Sequence, residues 1–225
     1  MSSRSALCTL LDETVNHLAG LALPPDLTDL RDAFVLDLKS VDTGTPALFA
    51  GESTDVRGLK HGPLVLDRPP ANGLGALHTA ARDAFGHVRW SEFYEPDEWS
   101  SDFLDAFANG EGIGPDGRIR SDRVILGLFV LGPNTLYPPH AHPAEEFYIS
   151  LSGAPRFQIG ADNDFEPLRD GEVAWHQSNV SHAIQTGAQP FFTVFGWRGR
   201  IAEKSWYRED MRDEQSKIRH PTIAK

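Results

Sequence analysis

The sequence has few cysteines, few basic residues and no long apolar run, and each shortage excludes a class of protein. Cys8 is the single cysteine among 225 residues, so the chain forms no internal disulfide and is not built around an oxidising compartment. No stretch approaches the ~20 apolar residues that a membrane-spanning helix requires. The 21 Lys and Arg residues stand against 32 Asp and Glu residues, and the formal net charge is −11. This charge argues against a general nucleic-acid binder, which neutralises phosphates with basic patches.

The N-terminal segment and the chain length predict one sizeable domain in the cytoplasm. The segment acquires Asp12 and Glu13 early and lacks the long apolar core of a signal peptide. Cys8 lies in an apolar helical pattern, where it is interpreted as a small packed side chain. A chain of this length accommodates one domain with an appended subdomain.

The character of the sequence changes near residue 115, and three regions are predicted. Residues 1–115 form a helical region, residues 116–200 form a β-rich unit on which the helices pack, and residues 201–225 form a charged C-terminal arm. Apolar residues at helical spacing predict four helices, over 5–21, 26–41, 74–85 and 98–108.

Glycine and proline punctuate the segments between these patterns. Residues 42–72 are rich in Gly, Pro and Asp and are predicted to form a long loop. The run GEGIGPDG at 110–117 is predicted to be a turn-rich connector. A phosphate-binding loop is rejected there because the run lacks the Lys-Ser/Thr pair that such a loop carries.

Short apolar runs separated by turns follow from residue 123 onward. A hairpin is predicted between 145–153 and 155–160, which are joined by a short turn. Turn signals at intervals of ~8–12 residues predict a sandwich or barrel. The predicted strands are 123–131, 145–153, 155–160, 172–176, 181–186 and 190–199.

A cluster of metal-ligand side chains lies within this β-rich part. His140, His142 and Glu146 read H-x-H-x-x-x-E, and His182 stands downstream. Neutral imidazoles and a carboxylate are good ligands for a divalent transition metal. Side chains two and four apart on a strand share a face, so His140, His142, Glu146 and Tyr148 are expected to project into one interior.

The spacing of these residues resembles the two motifs of the cupin family. The first motif is matched by His140, His142, Glu146 and Gly153, and the second runs from Gly171 to His182. Gln177 and Asn179 replace the Pro and Gly of the second motif, and Asn tolerates the left-handed turn that Gly supplies. The resemblance implies an α+β, mainly β fold: a double-stranded β-helix (jelly-roll) barrel preceded by the helical region.

The run YPPHAHPAEEFYISLSG at 137–153 resembles the metal-site strand of the bacterial cupin-type dimethylsulfoniopropionate (DMSP) lyases. The resemblance implies cleavage of DMSP to dimethyl sulfide and acrylate by β-elimination. It also implies that Tyr148 is the general base and that His140, His142, Glu146 and His182 bind one metal ion. The alternative for Tyr148 is a barrel-lining aromatic with a satisfied hydroxyl.

Substrate contacts are assigned from position. Tyr137 precedes the first ligand, and Trp175 and Trp197 lie on predicted strands, where an aromatic face attracts a sulfonium cation. Each of the three has packing as its alternative role. His176 is a pocket or outer-shell residue in this interpretation, and Glu145 faces outward from Glu146.

The sequence leaves several choices open. Three imidazoles and a carboxylate suit Fe(II), Mn, Co, Ni or Zn. Another metallo-cupin enzyme, such as a dioxygenase or an isomerase of a small acid, remains an alternative function, as does a cupin that binds a metabolite without catalysis. A homodimer is possible, since cupin barrels often pair through edge strands or terminal arms.

Overall fold

The computed structural model describes residues 1–44, 55–92, 94, 101–203 and 205–207. Within these ranges the β-strands form two sheets that face each other, and α-helices from the first half of the chain cover the outer side of the larger sheet. The architecture is α+β and mainly β, and the C-terminal part is the double-stranded β-helix of the cupins. The predicted fold class is confirmed.

The helices lie where apolar residues recur at helical spacing. The first two are capped at their C-termini by Gly20 and Ser40, close to the predicted ends. The helix α3 follows a 3₁₀ turn at Arg57–His61 inside the predicted loop. The helices are α1 (Ser3–Ala19), α2 (Pro25–Lys39), α3 (Gly62–Leu66), α4 (Gly75–Ala84) and α5 (Ser101–Leu104).

The strands confirm most of the short β runs predicted from residue 123 onward. The larger sheet has the order β1-β2-β4-β11-β6-β9 with β3 beside β2, and the smaller sheet has the order β12-β5-β10-β7-β8. The strands are β1 (Arg89–Ser91), β2 (Phe107–Gly114), β3 (Ile119–Arg120), β4 (Val124–Leu131), β5 (Leu136–Ala141), β6 (Ala144–Ser152), β7 (Arg156–Ile159), β8 (Glu166–Pro167), β9 (Val173–His176), β10 (His182–Gln185), β11 (Phe191–Gly199) and β12 (Trp206–Tyr207).

Alternation along the strands of the larger sheet divides the core into two clusters. On β6, Phe147 and Ile149 face the helices, whereas Glu146 and Tyr148 face the smaller sheet. The outer cluster joins Phe147 to Phe34 of α2, with the two rings 4.9 Å apart and edge to face. The inner cluster lines the interior of the barrel and is rich in aromatic side chains.

An ion-pair network attaches α2 to the larger sheet. The buried carboxylate of Asp37 accepts hydrogen bonds from Arg123 at 2.8 Å and from Arg198 of β11 at 2.9 Å. Arg198 also pairs with Glu145. Glu145 therefore faces the helical side, as predicted, and Glu146 faces the interior.

Two predictions about neighbouring elements are wrong. The run 155–160 does not form a hairpin with β6, because β7 pairs with β10 and β8 in the smaller sheet while β6 pairs with β11 and β9. Gly153, at φ 109°, turns the chain from one sheet to the other. The predicted connector at 110–117 is largely strand β2, which pairs with β4.

The boundary expected at residue 115 does not separate helices from sheet. Strands β1 and β2 precede it and belong to the larger sheet, so the barrel begins before residue 116. Of the helix predicted over 98–108, residues 98–100 lie outside the described residues; α5 covers Ser101–Leu104, and β2 begins at Phe107. Most of the predicted C-terminal arm, from residue 208 onward, lies outside the described residues.

The turn before the last motif histidine confirms a prediction. Asn179 has φ 65°, the left-handed conformation that glycine supplies in the family pattern, and its backbone N–H donates to the carbonyl of His142 at 2.8 Å. Of the helices in the described ranges, none is long and apolar enough to cross a membrane.

A buried carboxyl group lies under the turn that follows β2. Oε1 of Glu111 accepts the backbone N–H of Asp116 at 2.6 Å and sits where a side chain on Gly114 would have to be. Burial raises the pKa of Glu111 to about 8; nearby Asp116 adds to the shift, while the backbone N–H groups and Arg89 oppose it. The folded protein therefore keeps this carboxyl protonated at neutral pH.

This shift predicts a pH-dependent stability that Glu111→Gln removes. The unfolded chain releases the proton near pH 4.5 and the folded chain near pH 8, so the folded state loses stability as the pH rises through this window, by about 5 kcal/mol at most. Urea unfolding at pH 5 and pH 8 should show a smaller loss in E111Q than in the native chain. The exposed Glu166→Gln is the matched control, and an E111Q profile parallel to the native one would contradict the prediction.

Candidate metal centre

A bulge in β5 brings His140 into the interior. His140 lies opposite His182 and Tyr137 lies opposite Ile184, so Pro138 and Pro139 occupy the place of one residue in the ladder. An extra residue changes which face the following side chains point to. Tyr137 and His140 are three apart, yet both rings face inward and stack at 4.1 Å. Prolines are tolerated here because a bulge leaves N–H positions unpaired.

The motif does not lie on one strand, which corrects the expectation of a single in-phase strand. His140 belongs to β5 in the smaller sheet, whereas Glu146 and Tyr148 belong to β6 in the larger sheet. His142 lies in the link between them, where the chain crosses from one sheet to the other. The four side chains still converge, because the link folds His142 back towards Glu146.

Each of the three motif histidines is oriented by a backbone carbonyl. Nδ1 of His140 donates to Pro138 at 2.8 Å, that of His142 to Ala144 at 2.9 Å, and that of His182 to Val180 at 2.9 Å. A carbonyl oxygen only accepts, so Nδ1 carries the proton in each ring. The lone pair of each Nε2 is left to act as a metal ligand.

These lone pairs face a buried carboxylate. Nε2 of His142 lies 3.0 Å from Oε2 of Glu146, and Nε2 of His182 lies 3.2 Å from the same oxygen. Burial opposes the ionisation of Glu146, but His142 and His182, when protonated at Nε2, supply positive charge and hydrogen bonds that hold its pKa well below the usual value. Burial, together with His182 and His142, keeps the pKa of His140 well below its usual value, so that ring is neutral.

The donor set fits a divalent cation. Two acceptor atoms 3.0–3.2 Å apart repel each other unless a proton or a cation lies between them. Nε2 of His182 is buried without a hydrogen-bond partner among the described residues. The ligand atoms of His140, His142 and His182 lie within 4.8 Å of one another, and those of Glu146, His176 and His182 do the same. The chain therefore holds a buried His/Glu group able to bind a metal.

Tyr148 lies beside this group on β6. Its ring packs against Phe129 at 5.8 Å and Phe157 at 5.6 Å, so the side chain is buried in an aromatic wall. Burial raises the pKa of Tyr148 well above its usual value, and the charge of Glu146 and hydrogen bonding to it raise it further. Without a cation the hydroxyl keeps its proton.

A second phenol stands behind the first histidine. The hydroxyl of Tyr94 forms a hydrogen bond with that of Tyr137, and the ring of Tyr137 stacks on His140. Tyr94 was missed by sequence reasoning because it precedes the barrel motifs and carries no spacing relation to them. The structure thus brings the predicted Tyr137 to the site through its contact with a ligand histidine.

The two tryptophans lie on opposite faces of the larger sheet. Trp197 faces inward, packs on His142 with ring centroids 4.2 Å apart, and donates its indole N–H to Oε1 of Glu146. Trp175 faces the helices and packs against Phe34 and Phe147. The expectation that Trp175 contacts a substrate at this site is corrected: its neighbours Ala174 and His176 face inward, so alternation along β9 points Trp175 away.

His176 belongs to the interior more closely than its sequence position indicated. It lies directly opposite Glu146 across the β6–β9 pair, and its Nδ1 is 3.6 Å from Oε2 of Glu146. Burial and the neighbouring His182 lower its pKa well below the usual value, so the ring is neutral. Strand alternation is the signal that could have found it: His176 shares a face of β9 with Ala174, two residues earlier, and β9 pairs with the strand that carries Glu146.

Comparison with known proteins identifies the family of this chain. The sequence model of the dimethylsulfoniopropionate lyase family matches residues 65–193, which is more than half of the chain. The chain belongs to the DMSP lyase family. All four motif ligands and Tyr148 fall within the matched range, as do Tyr137 and His176.

Relatives of the DMSP lyase family resemble this chain in sequence and in fold. DMSP lyase DddQ of Ruegeria pomeroyi is 34% identical over 128 residues, which is 55% of this chain and 63% of that protein. DddL of Cereibacter sphaeroides is 30% identical over 156 residues, 61% of this chain and 64% of that protein. The crystal structure of DddQ superimposes with a TM-score of 0.71 and 25% identity, covering 89% of this chain and 95% of that one. In sequence, the chain spans a little under two thirds of the length of these two curated relatives.

The contact between Trp197 and Glu146 predicts a loss of metal affinity in Trp197→Phe. Removing a hydrogen bond that orients a metal ligand weakens binding by roughly 10- to 100-fold. Trp175→Phe removes an indole N–H that has no partner among the described residues, so it should leave the affinity unchanged. Competition with a chromophoric chelator measures both variants. Equal affinities for W197F and W175F would show that the indole does not orient Glu146.

Proposed function

We propose that this protein is a metal-dependent lyase that cleaves dimethylsulfoniopropionate to dimethyl sulfide and acrylate. The observation that carries the proposal is the position of the buried Tyr148, which shares a strand face with Glu146 and lies beside three imidazoles whose Nδ1 atoms are held by backbone carbonyls. The site thereby combines a metal-ligand set with a proton acceptor. The named activity of DddQ supports the same reaction for this chain.

His140, His142, Glu146 and His182 would hold the metal ion. When bound, a divalent cation supplies positive charge that polarises the substrate carboxylate and favours the phenolate of Tyr148. The backbone carbonyls that hold each Nδ1 keep the imidazoles in the binding orientation. Trp197 holds Oε1 of Glu146, which leaves Oε2 facing the imidazoles.

Tyr148 acts as the general base in this proposal. The phenolate oxygen takes the proton from the carbon next to the substrate carboxylate, and the electron pair forms the double bond of acrylate. The carbon–sulfur bond breaks with its electron pair on sulfur, so the sulfonium leaves as neutral dimethyl sulfide. No acid is needed to protonate this leaving group, so the reaction requires one base and no general acid.

The aromatic wall around Tyr148 suits the cationic end of the substrate. Phe129, Phe157 and Phe195 line the interior with their rings 5.6–6.3 Å from that of Tyr148. Aromatic faces attract a sulfonium as they attract ammonium groups. The same rings exclude water, which strengthens the electrostatic interactions in the site. Tyr137 and Trp197 remain the substrate-contact residues of this proposal.

Tyr148→Phe is the direct test of the base. The variant removes one oxygen atom and keeps the ring that packs against Phe129 and Phe157, and its rate is compared with that of the native chain at equal metal content. Removing a general base lowers the rate by roughly 10²- to 10⁴-fold. Headspace gas chromatography for dimethyl sulfide, with acrylate measured in parallel, checks the rate. Undiminished gas release from Y148F with metal bound would contradict the role of Tyr148.

Metal removal tests the other half of the proposal. Chelation should abolish gas release, and addition of Fe(II), Mn(II), Co(II), Ni(II) or Zn(II) should restore it for at least one of these ions, because the carboxylate of the substrate needs a counter-charge. The measurement is dimethyl sulfide per bound metal. If metal binds stoichiometrically and no ion supports gas release, the lyase proposal fails. An O₂-consumption screen of small acids then tests the dioxygenase alternative.

A further inference from the structure

His176 is a buried imidazole without a hydrogen-bonding partner. Its side chain has no exposure to solvent, and neither Nδ1 nor Nε2 finds a hydrogen bond among the described residues. Buried polar groups are nearly always paired, and leaving one unpaired costs about 1–3 kcal/mol. The described residues therefore leave this ring without the partner that a buried imidazole needs.

The surroundings of His176 indicate what that partner is. Its ring stacks on that of His182, with centroids 4.0 Å apart, and it lies opposite Glu146 across the strand pair. Three nitrogens converge on Oε2 of Glu146: Nε2 of His142 at 3.0 Å, Nε2 of His182 at 3.2 Å and Nδ1 of His176 at 3.6 Å. The ligand atoms of Glu146, His176 and His182 lie within 4.8 Å of one another.

The third separation is too long for a hydrogen bond but suits two ligands of one cation. Hydrogen bonds between nitrogen and oxygen span about 2.7–3.2 Å. Two atoms that each lie ~2.1 Å from the same metal are ~3.0 Å apart at a right angle and ~3.6 Å apart at 120°. The separation between His176 and Glu146 falls at the upper end of this range, and those of His142 and His182 fall near the lower end.

We propose that Nδ1 of His176 is a further ligand of the metal, which gives the centre four imidazoles and one carboxylate. The inference rests on the metal dependence proposed above and goes beyond the four motif residues. His176 differs from the other three histidines in that no backbone carbonyl in the described part of the chain holds its second nitrogen. It is therefore the least constrained of the four rings, and the cation itself orients it.

Five protein donors set the coordination number that the site prefers. Structural zinc takes four ligands in a tetrahedron, and catalytic zinc usually takes three from the protein. A set of five donors exceeds both and suits an ion of higher coordination number. The site therefore discriminates among the transition metals through His176 as well as through ligand type.

Cobalt(II) titration of the whole chain, with no substrate present, tests the ligand role. The visible spectrum of Co(II) reports the number and type of its ligands, and the titration gives the affinity. His176→Phe should weaken binding roughly 10-fold or more and change the spectrum. His78→Phe is the matched control: His78 of α4 is also fully buried with both nitrogens unpaired among the described residues, and it packs on Phe192 outside the barrel interior. H78F should bind Co(II) as the native chain does.

His176→Ala with added imidazole keeps the test decisive if H176F does not fold. Free imidazole should occupy the vacated space and restore the native Co(II) spectrum, an effect that a packing role does not produce. An unchanged spectrum and affinity in both His176 variants, or an altered H176A spectrum that imidazole leaves unrestored, would overturn the proposal.

Headspace assays on the same preparations separate this inference from the lyase reaction. If the Co(II) spectrum changes in the His176 variants but the native chain releases no dimethyl sulfide, the ligand role of His176 is supported and only the lyase proposal is overturned. If the native chain releases dimethyl sulfide but the spectrum is the same with and without His176, only the ligand role is overturned.

Discussion

The buried charge of Glu146 is the constraint on which the rest of the interior depends. A carboxylate removed from water is stable only where hydrogen bonds and positive charge replace its hydration. Trp197 supplies an N–H to one oxygen, and the imidazoles of His142 and His182 face the other. These partners come from β11, from the β5–β6 link and from β10. Glu146, which lies on the larger sheet, therefore fixes the distance between the two sheets at this point.

The chemistry of this centre is set by which nitrogen each ring presents. Carbonyl groups two residues away hold Nδ1 of His140, His142 and His182, so the three Nε2 atoms reach the interior as lone pairs. Lone pairs directed at a carboxylate store repulsion that a divalent cation relieves. The fold thus pre-organises these side chains for the proposed metal ion, because the conformational entropy of the three rings is already lost on folding.

The four side chains predicted as ligands converge in the structure, for a reason that was partly wrong. Chemical type and spacing identified this group, but the expected single strand is two strands in two sheets. The bulge at Pro138 and Pro139 turns the side chain of His140 inward, and counting alternate residues along one strand does not predict such a bulge. The wrong hairpin between β6 and β7 has a related cause: a short turn at Gly153 indicates a reversal, and only the packing of the whole barrel decides which sheet receives the next strand.

Local rules succeeded where the deciding interaction is local. The left-handed turn at Asn179 depends only on the backbone conformation of that residue. The side chains of Glu145 and Glu146 point to opposite faces of the sheet because neighbours on a strand alternate. Trp175 and Trp197 could not be told apart in this way. Both stand on apolar strands, and the difference between core and site depends on which face the helices cover.

That helical cover explains how one strand serves two purposes. In a bare barrel the outward side chains of β6 meet water and are polar. Here Phe147 and Ile149 are buried beneath the helices, and Phe34 of α2 packs edge to face on Phe147. Because the outer face contributes hydrophobic burial, the inner face can carry Glu146 and Tyr148, whose burial opposes folding. The N-terminal half of the chain is therefore part of the stability of the metal centre, although none of its helices in the described ranges supplies one of the predicted ligands.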